Sequence, residues 1–201
     1  MGRGRVVIFA RAPRLGAVKR RLAKEVGGDV AWRFYRRTLD AVTRRLAADP
    51  RWHTALAVTP DSARLTPALW LPGVPRLAQG PGDLGARMAR AIRALAPGPV
   101  VIVGSDVPDI GPAQVAAAFA ALDRHDAVFG PSPDGGYWLI GWRGRRSLPS
   151  RALEDVRWST AQARADSIAS LGPDVSIALV DELEDVDNAE SYARWRARAD
   201  P

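Results

Sequence analysis

Pro99-Val-Val-Ile-Val-Gly-Ser-Asp-Val-Pro-Asp-Ile110 holds an unbroken run of β-branched residues, Val100 to Val103, with no polar alternation. Such a run predicts a central strand buried on both faces, as in a sheet covered by helices on either side. Gly104-Ser105 then release the chain into a turn, so Asp106 falls just past the strand's carboxyl end. Ligands of open α/β sheets bind at that edge, and a carboxylate there offers oxygen lone pairs to a hard cation such as Mg2+ or Mn2+. The competing role, capping the next helix, suits Asp106 poorly. Pro112 fits the first helical position, which makes Gly111 the cap and leaves Asp106 about five residues too early.

The same pattern recurs on both sides of this strand. Arg5 to Ala10 reads as a first strand, and it runs into Arg11-Ala-Pro-Arg-Leu-Gly-Ala-Val-Lys-Arg-Arg-Leu22. A Pro/Gly loop with this many basic residues, placed after a strand and before a helix, suits phosphates through backbone N–H groups and Arg/Lys side chains. It lacks the Gly-Lys-Ser/Thr of a Walker loop, and a solvated basic turn is the competing reading. Asp29 to Ala48 carries Ala31, Phe34, Tyr35, Leu39, Val42 and Leu46 at helical spacing. Strands are expected at Trp52 to Val58 and Pro75 to Ala78, a short helix at Asp61 to Leu69, and a helix at Leu84 to Leu95 with Asp83 as its N-cap. Downstream come a helix at Pro112 to Leu122, strands at Asp126 to Gly130 and Tyr137 to Ile140, a helix from Trp158 to about Leu171, a strand at Val175 to Val180 and a last helix to about Arg198. Asp187 and Glu190 have the spacing of a capping box for that helix. Seven strands interleaved with helices predict one domain over residues 1–201, a three-layer α/β/α sandwich with a mostly parallel seven-stranded sheet. The tight turn before Tyr137 makes its strand the expected antiparallel member.

Composition narrows the chemistry. The chain has no cysteine and two histidines, so a disulfide framework and a thiolate metal site are excluded and any metal should be oxygen-bound. The net charge is +7, and Lys19 and Lys24 are the two lysines among 29 basic residues. The arginines are scattered over most expected helices, which argues against a nucleic-acid partner while favouring an anionic small ligand. No stretch approaches the ~18 apolar residues of a membrane span, and no signal h-region is present, so a cytoplasmic protein is expected.

The basic first loop, Gln79-Gly-x-Gly-Asp-Leu-Gly-x-Arg-Met88, Gly104-Ser-Asp-x-Pro108, Gly130-Pro-x-x-Asp-Gly-Gly-Tyr137, Trp158-Ser-Thr160 and Asp185-Val-Asp187 occur in this order over nearly the whole chain. In these it resembles an uncharacterised bacterial transferase family of the GT-A superfamily, often labelled glycosyltransferases and similar to 2-phospho-L-lactate and molybdenum-cofactor guanylyltransferases. The resemblance implies a nucleotide-diphospho-sugar transferase fold. It matches Asp106 to the metal-binding aspartate, Asp187 to a second acidic position near the metal, and Lys19 and Arg21 to the family's Lys-Thr-Arg. Arg20 stands where Thr is usual, Leu15 where Pro precedes Gly16, Val107 where Cys is usual, and Asn188-Ala189 where Thr-Pro is usual.

Taken together, the expected nucleotide-binding residues are Arg11, Gly16, Lys19, Arg21, Asp83, Arg87 and Ser105, with Asp106 and Asp187 on Mg2+ or Mn2+. Asp134 lies in a loop fixed by two prolines and an Asp-Gly-Gly turn, where a carboxylate can take a proton from an acceptor hydroxyl; Gly135, Gly136 and Tyr137 are the expected acceptor contacts. Three functions follow in order of preference: glycosyl transfer from a nucleotide sugar to a small molecule, guanylyltransferase-like transfer of a nucleotidyl group to a phosphorylated small acceptor, and nucleotide binding without catalysis. Oligomeric state, including a homo-oligomer, is left open.

Overall fold

The structure, a computed structural model, describes residues 3–199; Met1, Gly2, Asp200 and Pro201, the ends of the expected domain, lie outside the described residues. The chain forms β1 (Gly4–Arg11), α1 (Arg20–Val26), α2 (Gly28–Ala47), β2 (Trp52–Thr59), two short 3-10 turns, β3 (Arg76–Ala78), α3 (Leu84–Leu95), β4 (Val100–Gly104) and α4 (Pro112–Leu122). There follow β5 (Ala127–Pro131), β6 (Tyr137–Trp142), α5 (Ala163–Ser170), β7 (Ile177–Leu179) and α6 (Ala189–Ala199). One seven-stranded sheet has the order β3-β2-β1-β4-β6-β5-β7.

Helices cover both faces because the apolar runs leave no polar face on the central strands. Along β1, Val6, Ile8 and Ala10 pack with Tyr35, Leu39 and Val42 of α2, and β4 adds Val101 and Val103 against Val115 and Ala118 of α4. The alternate residues Val7 and Phe9 of β1 and Val100 and Ile102 of β4 meet Met88 and Ile92 of α3 on the other face. Val100 to Val103 are all at most 3% exposed, as the sequence pattern demands. Burying such side chains contributes roughly 1.5–3 kcal/mol each. The α4 start is as expected, with Gly111 at the cap and Pro112 at the first helical position.

The sheet is mixed, which corrects the expectation of a mostly parallel one. β1–β2, β1–β4, β2–β3 and β5–β7 run parallel, whereas β6 is antiparallel to both β4 and β5. The cause is the short 132–136 turn. So few residues can only reverse the chain, since a parallel return needs a crossover of a dozen residues or more. The hairpin then places β6 between β4 and β5. The helix expected from Trp158 begins only at Ala163, because Ser159 has φ +62, outside helical geometry. Among the described residues no helix is long and apolar enough to cross a membrane.

Candidate active site

β1 and β4 are parallel neighbours, and the chain leaves β1 first toward β2 and β3 and later returns to its other side at β4. Their carboxyl ends therefore form the switch point where open α/β sheets bind ligands. Lys19 arrives there from the loop after β1, and Asp106 from the turn after β4, with Lys19 Nζ 2.8 Å from Asp106 Oδ2. The C-terminal segment closes the group: Lys19 Nζ also donates to Asp187 Oδ1 at 2.7 Å and lies 3.8 Å from Asp185 Oδ2. One ammonium is thus shared by three carboxylates.

Lys19 holds this place at a conformational cost. It has φ 46 and ψ 48, the left-handed region that a residue with a Cβ enters at about 1–2 kcal/mol. Its side chain is only 4% exposed. Burial by itself would lower its pKa, but Asp106 and then Asp187 outweigh that and raise it above the ordinary lysine value. The side chain is a fixed positive charge. Asp185 shows the opposite imbalance: burial, opposed by Lys19 and reinforced by Asp106, Asp187 and Asp134, pushes it up to about 7.

Two helices steer the acidic segment onto the sheet edge. Val186 is buried with Leu22 of α1 and Phe34 of α2, while the carboxylates on either side of it face Lys19. Glu25 at the end of α1 accepts from Ala189 N at 2.7 Å, tying α1 to the start of α6. The α6 cap is Asn188, whose Oδ1 accepts from Ser191 N at 2.8 Å, and Ser191 Oγ in turn accepts from Asn188 N at 3.2 Å. This reciprocal pair does the work that the Asp187–Glu190 spacing suggested, and it leaves the Asp187 carboxylate free for Lys19. Asn188 replaces the usual Thr without loss of a cap. Asp185 is the residue that the sequence reading left out. Its signal is the Asp-x-Asp pattern around an apolar residue, which puts two carboxylates on one side of a chain anchored by the other.

Among the described residues, Asp106, Asp185 and Asp187 form a group in which one oxygen from each lies within 4.8 Å of the others. Three oxygens at that separation fit a hard divalent cation, whose ligand distances are about 2.0–2.6 Å. Other expected residues gather round this group. Arg21 Nη1 lies 3.7 Å from Asp187 Oδ2. Ser105 is buried beside Asp106, its Oγ 3.1 Å from the Tyr35 hydroxyl. Asp134 is close enough to raise the Asp185 pKa, and its Oδ1 accepts from Gly136 N at 2.8 Å. Gly135, at φ +83, touches Ala161 so closely that a Cβ would come within 2.1 Å of the Ala161 carbonyl oxygen. Arg11 is exposed with its Nη1 3.5 Å from Ala17 O, and Gly16 turns the same loop at φ +76.

The remaining expected residues make contacts of their own. Asp83 caps α3, accepting from Ala86 N at 2.8 Å and from Trp158 Nε1 at 3.2 Å, and Arg87 Nε donates to Gly82 O at 2.8 Å. The Tyr137 ring packs edge-on against Phe129 and Trp158, and its hydroxyl meets Ser167 Oγ of α5 at 3.2 Å.

Helical spacing puts Tyr35 in the core, yet its hydroxyl joins the two loops of the switch point. It accepts from Arg11 N at 3.0 Å and donates to Arg11 O at 2.9 Å, so Ser105 Oγ is left to donate to it. Tyr35→Phe should lower unfolding free energy by about 1–3 kcal/mol, because the part-buried Arg11 N–H and the buried Ser105 hydroxyl lose their partner. Urea denaturation measures this. An unchanged midpoint would mean that the hydroxyl does not hold the loops together.

Residues 39–160 match a family described as uncharacterised proteins conserved in bacteria, DUF2064. The chain belongs to that family. The match contains Asp106 and Asp134, while Lys19, Asp185 and Asp187 lie outside it. No curated protein matches this DUF2064 chain. Among solved structures, a candidate nucleotide-diphospho-sugar transferase from Desulfovibrio desulfuricans G20 is 28% identical, with TM-score 0.87 over 100% of this chain and 89% of that one. A 4-diphosphocytidyl-2C-methyl-D-erythritol synthase from Anaerococcus prevotii DSM 20548 shares the fold at 14% identity and TM-score 0.66, covering 99% of this chain and 96% of that one. Rv0371c from Mycobacterium tuberculosis H37Rv, solved in complex with manganese, shares it at 18% identity and TM-score 0.55, covering 96% of each chain. The DUF2064 chain therefore has the α/β fold of nucleotide-diphospho-sugar transferases.

Proposed function

We propose that the chain is a single-domain, metal-dependent transferase that takes a nucleotide-activated donor and moves the sugar of a nucleotide sugar to a small hydroxyl acceptor. The observation that carries this reading is the meeting of Lys19 with Asp106, Asp185 and Asp187 at the β1/β4 switch point. A divalent cation held by those three carboxylates would offset the charge of a diphosphate and of the leaving group. The name of the Desulfovibrio structure supports the nucleotide sugar, and the manganese complex supports the metal.

The roles of the chain's own residues follow from charge and position. Lys19 keeps its proton and stands as a point charge at the switch point. Arg21, with 74% of its side chain exposed, can extend a guanidinium to phosphate oxygens beyond it, and Arg11 with the Gly16 turn lines the same loop. Ser105, next to Asp106 in the chain, is tied to the Arg11 main chain through the Tyr35 hydroxyl. Asp134 receives the acceptor's hydroxyl proton as the acceptor oxygen bonds to the sugar's anomeric carbon. The bond from that carbon to the diphosphate breaks, and the diphosphate leaves with the electron pair. Asp134 is itself exposed, so an acceptor can approach its carboxylate.

Nucleotidyl transfer is the second reading, supported by the basic loop on Arg11 to Arg21 and by the likeness to the diphosphocytidyl synthase fold. Incubation with a panel of nucleotide sugars and NTPs, Mn2+ and candidate acceptors distinguishes the two. The first reading expects a nucleoside diphosphate released from a nucleotide sugar. Pyrophosphate released from an NTP, with no turnover of any nucleotide sugar, would replace it by the second.

A further inference from the structure

At the amino-terminal edge of the sheet, roughly 23 Å along β1 from Arg11 at the usual rise per strand residue, lies a second cleft. Its volume is about 770 Å³, within the range typical of small-molecule sites. The floor is aromatic: the half-buried Phe119 ring stacks on the buried Trp52 ring, with centroids 5.7 Å apart and planes 27° apart, so Phe119 is the ring left to face the cleft. The Phe119 ring sits directly over Gly4, where a Cβ would come within 2.5 Å of it. One wall is closed by Gly144, at φ +73, so near to Gly98 that a Cβ would meet the Gly98 carbonyl oxygen at 2.1 Å. Close backbone approach at these two glycines shapes the cleft.

The rim is basic. Arg3, Arg5, Arg143 and Arg145 line it, with Asp123 as the carboxylate among its lining residues. Arg5 spends its Nη1 on two main-chain carbonyls, Leu95 O at 2.7 Å and Pro97 O at 3.0 Å, which satisfies hydrogen bonds but leaves the charge unbalanced. Arg143 donates to the Asp123 carbonyl and its Nε is buried without a partner, while its charge acts on the nearby Asp126 carboxylate. The fifth arginine, Arg51, is already neutralised by Asp49 and lies over the Trp52 ring at 4.8 Å. The half-buried Phe119 ring beneath the guanidinium groups of Arg3, Arg5 and Arg145 has the chemistry to hold a flat, negatively charged ring system. The rings stack on an aromatic face, and the anion takes charge-assisted hydrogen bonds.

We propose that this cleft binds a planar aromatic anion, at a site separate from the sheet edge that carries Asp106. The proposal does not depend on which transfer reaction the other edge performs. Calorimetric titration of the protein with 2-naphthalenesulfonate in chelator tests it, with 2-naphthol as the uncharged analogue and with the R3A/R145A double variant. Both substituted side chains are exposed, so the variant should fold, and its thermal midpoint checks this. We expect one sulfonate per chain, bound at least about tenfold more weakly by the double variant, with naphthol also at least about tenfold weaker on the wild type. Equal affinity of the wild type and the double variant for the sulfonate, equal affinity of the wild type for sulfonate and naphthol, or no binding at millimolar sulfonate would each overturn it.

Discussion

Asp106→Asn should abolish Mn2+-dependent nucleotide binding while the metal-free protein unfolds near the wild-type temperature. Asp106 contributes one of three carboxylate oxygens that lie within 4.8 Å of each other, so its loss removes a direct ligand and a full negative charge. Outer-shell substitutions at metal sites already cost ~10–100-fold in affinity, and a direct ligand should cost at least the upper figure. Stability responds differently because Lys19 faces three acids. Removing one carboxylate breaks the 2.8 Å ion pair, but Lys19 keeps Asp187 at 2.7 Å, and the repulsion between Asp106 and its two acidic neighbours disappears. The buried ammonium is never left unpaired, which is the case that costs several kcal/mol. Calorimetry with and without chelator reads the binding, and a thermal scan reads the fold. Nucleotide affinity that is equal with and without chelator, in wild type and variant alike, would remove the metal from the proposed function.

How far the sequence carried this picture depends on the range of the interaction. The buried strand Val100 to Val103, the Gly111–Pro112 helix start and the Asp83 cap are decided within a few residues of chain, and each is readable from residue type and spacing. The antiparallel β6 follows from a turn that is itself local, but its insertion between β4 and β5 is a matter of which strand finds which neighbour. That choice has no local signature. The contact between Lys19 and Asp187 spans 168 positions and depends on the segment before α6 packing on α1 and α2 through Val186, Leu22 and Phe34. Family resemblance marked both residues without saying that they touch. Asp185 sits in a run of acidic residues that would ordinarily be solvated, and what separates it from the equally exposed Glu184 is its partner, Lys19 rather than the surface Arg194. Tyr35 illustrates the reverse difficulty: its helical spacing correctly placed the ring in the core, and the pattern carries no information about what the hydroxyl reaches.

Asp134→Asn separates the two transfer chemistries because the substitution removes a base while sparing the loop. The Asp134 Oδ1 that accepts from Gly136 N at 2.8 Å is replaced by an amide oxygen able to accept the same bond. Gly135 keeps its positive φ and its contact with Ala161, so the turn that aims residue 134 should persist. For a hydroxyl acceptor, whose pKa lies far above 7, a positioned base contributes about 10²–10⁴-fold. Turnover of a nucleotide sugar should fall by that order, with donor affinity almost unchanged, since a group lost only from the transition state lowers kcat and kcat/KM together. Gly135→Ala is the contrasting variant: its Cβ would come within 2.1 Å of the Ala161 carbonyl oxygen, so it should disturb the whole loop and weaken acceptor binding as well as turnover. In nucleotidyl transfer the acceptor phosphate is already an anion and needs no deprotonation. Wild-type turnover in Asp134→Asn, alongside a damaged Gly135→Ala, would assign the loop to acceptor binding and take the base away from Asp134.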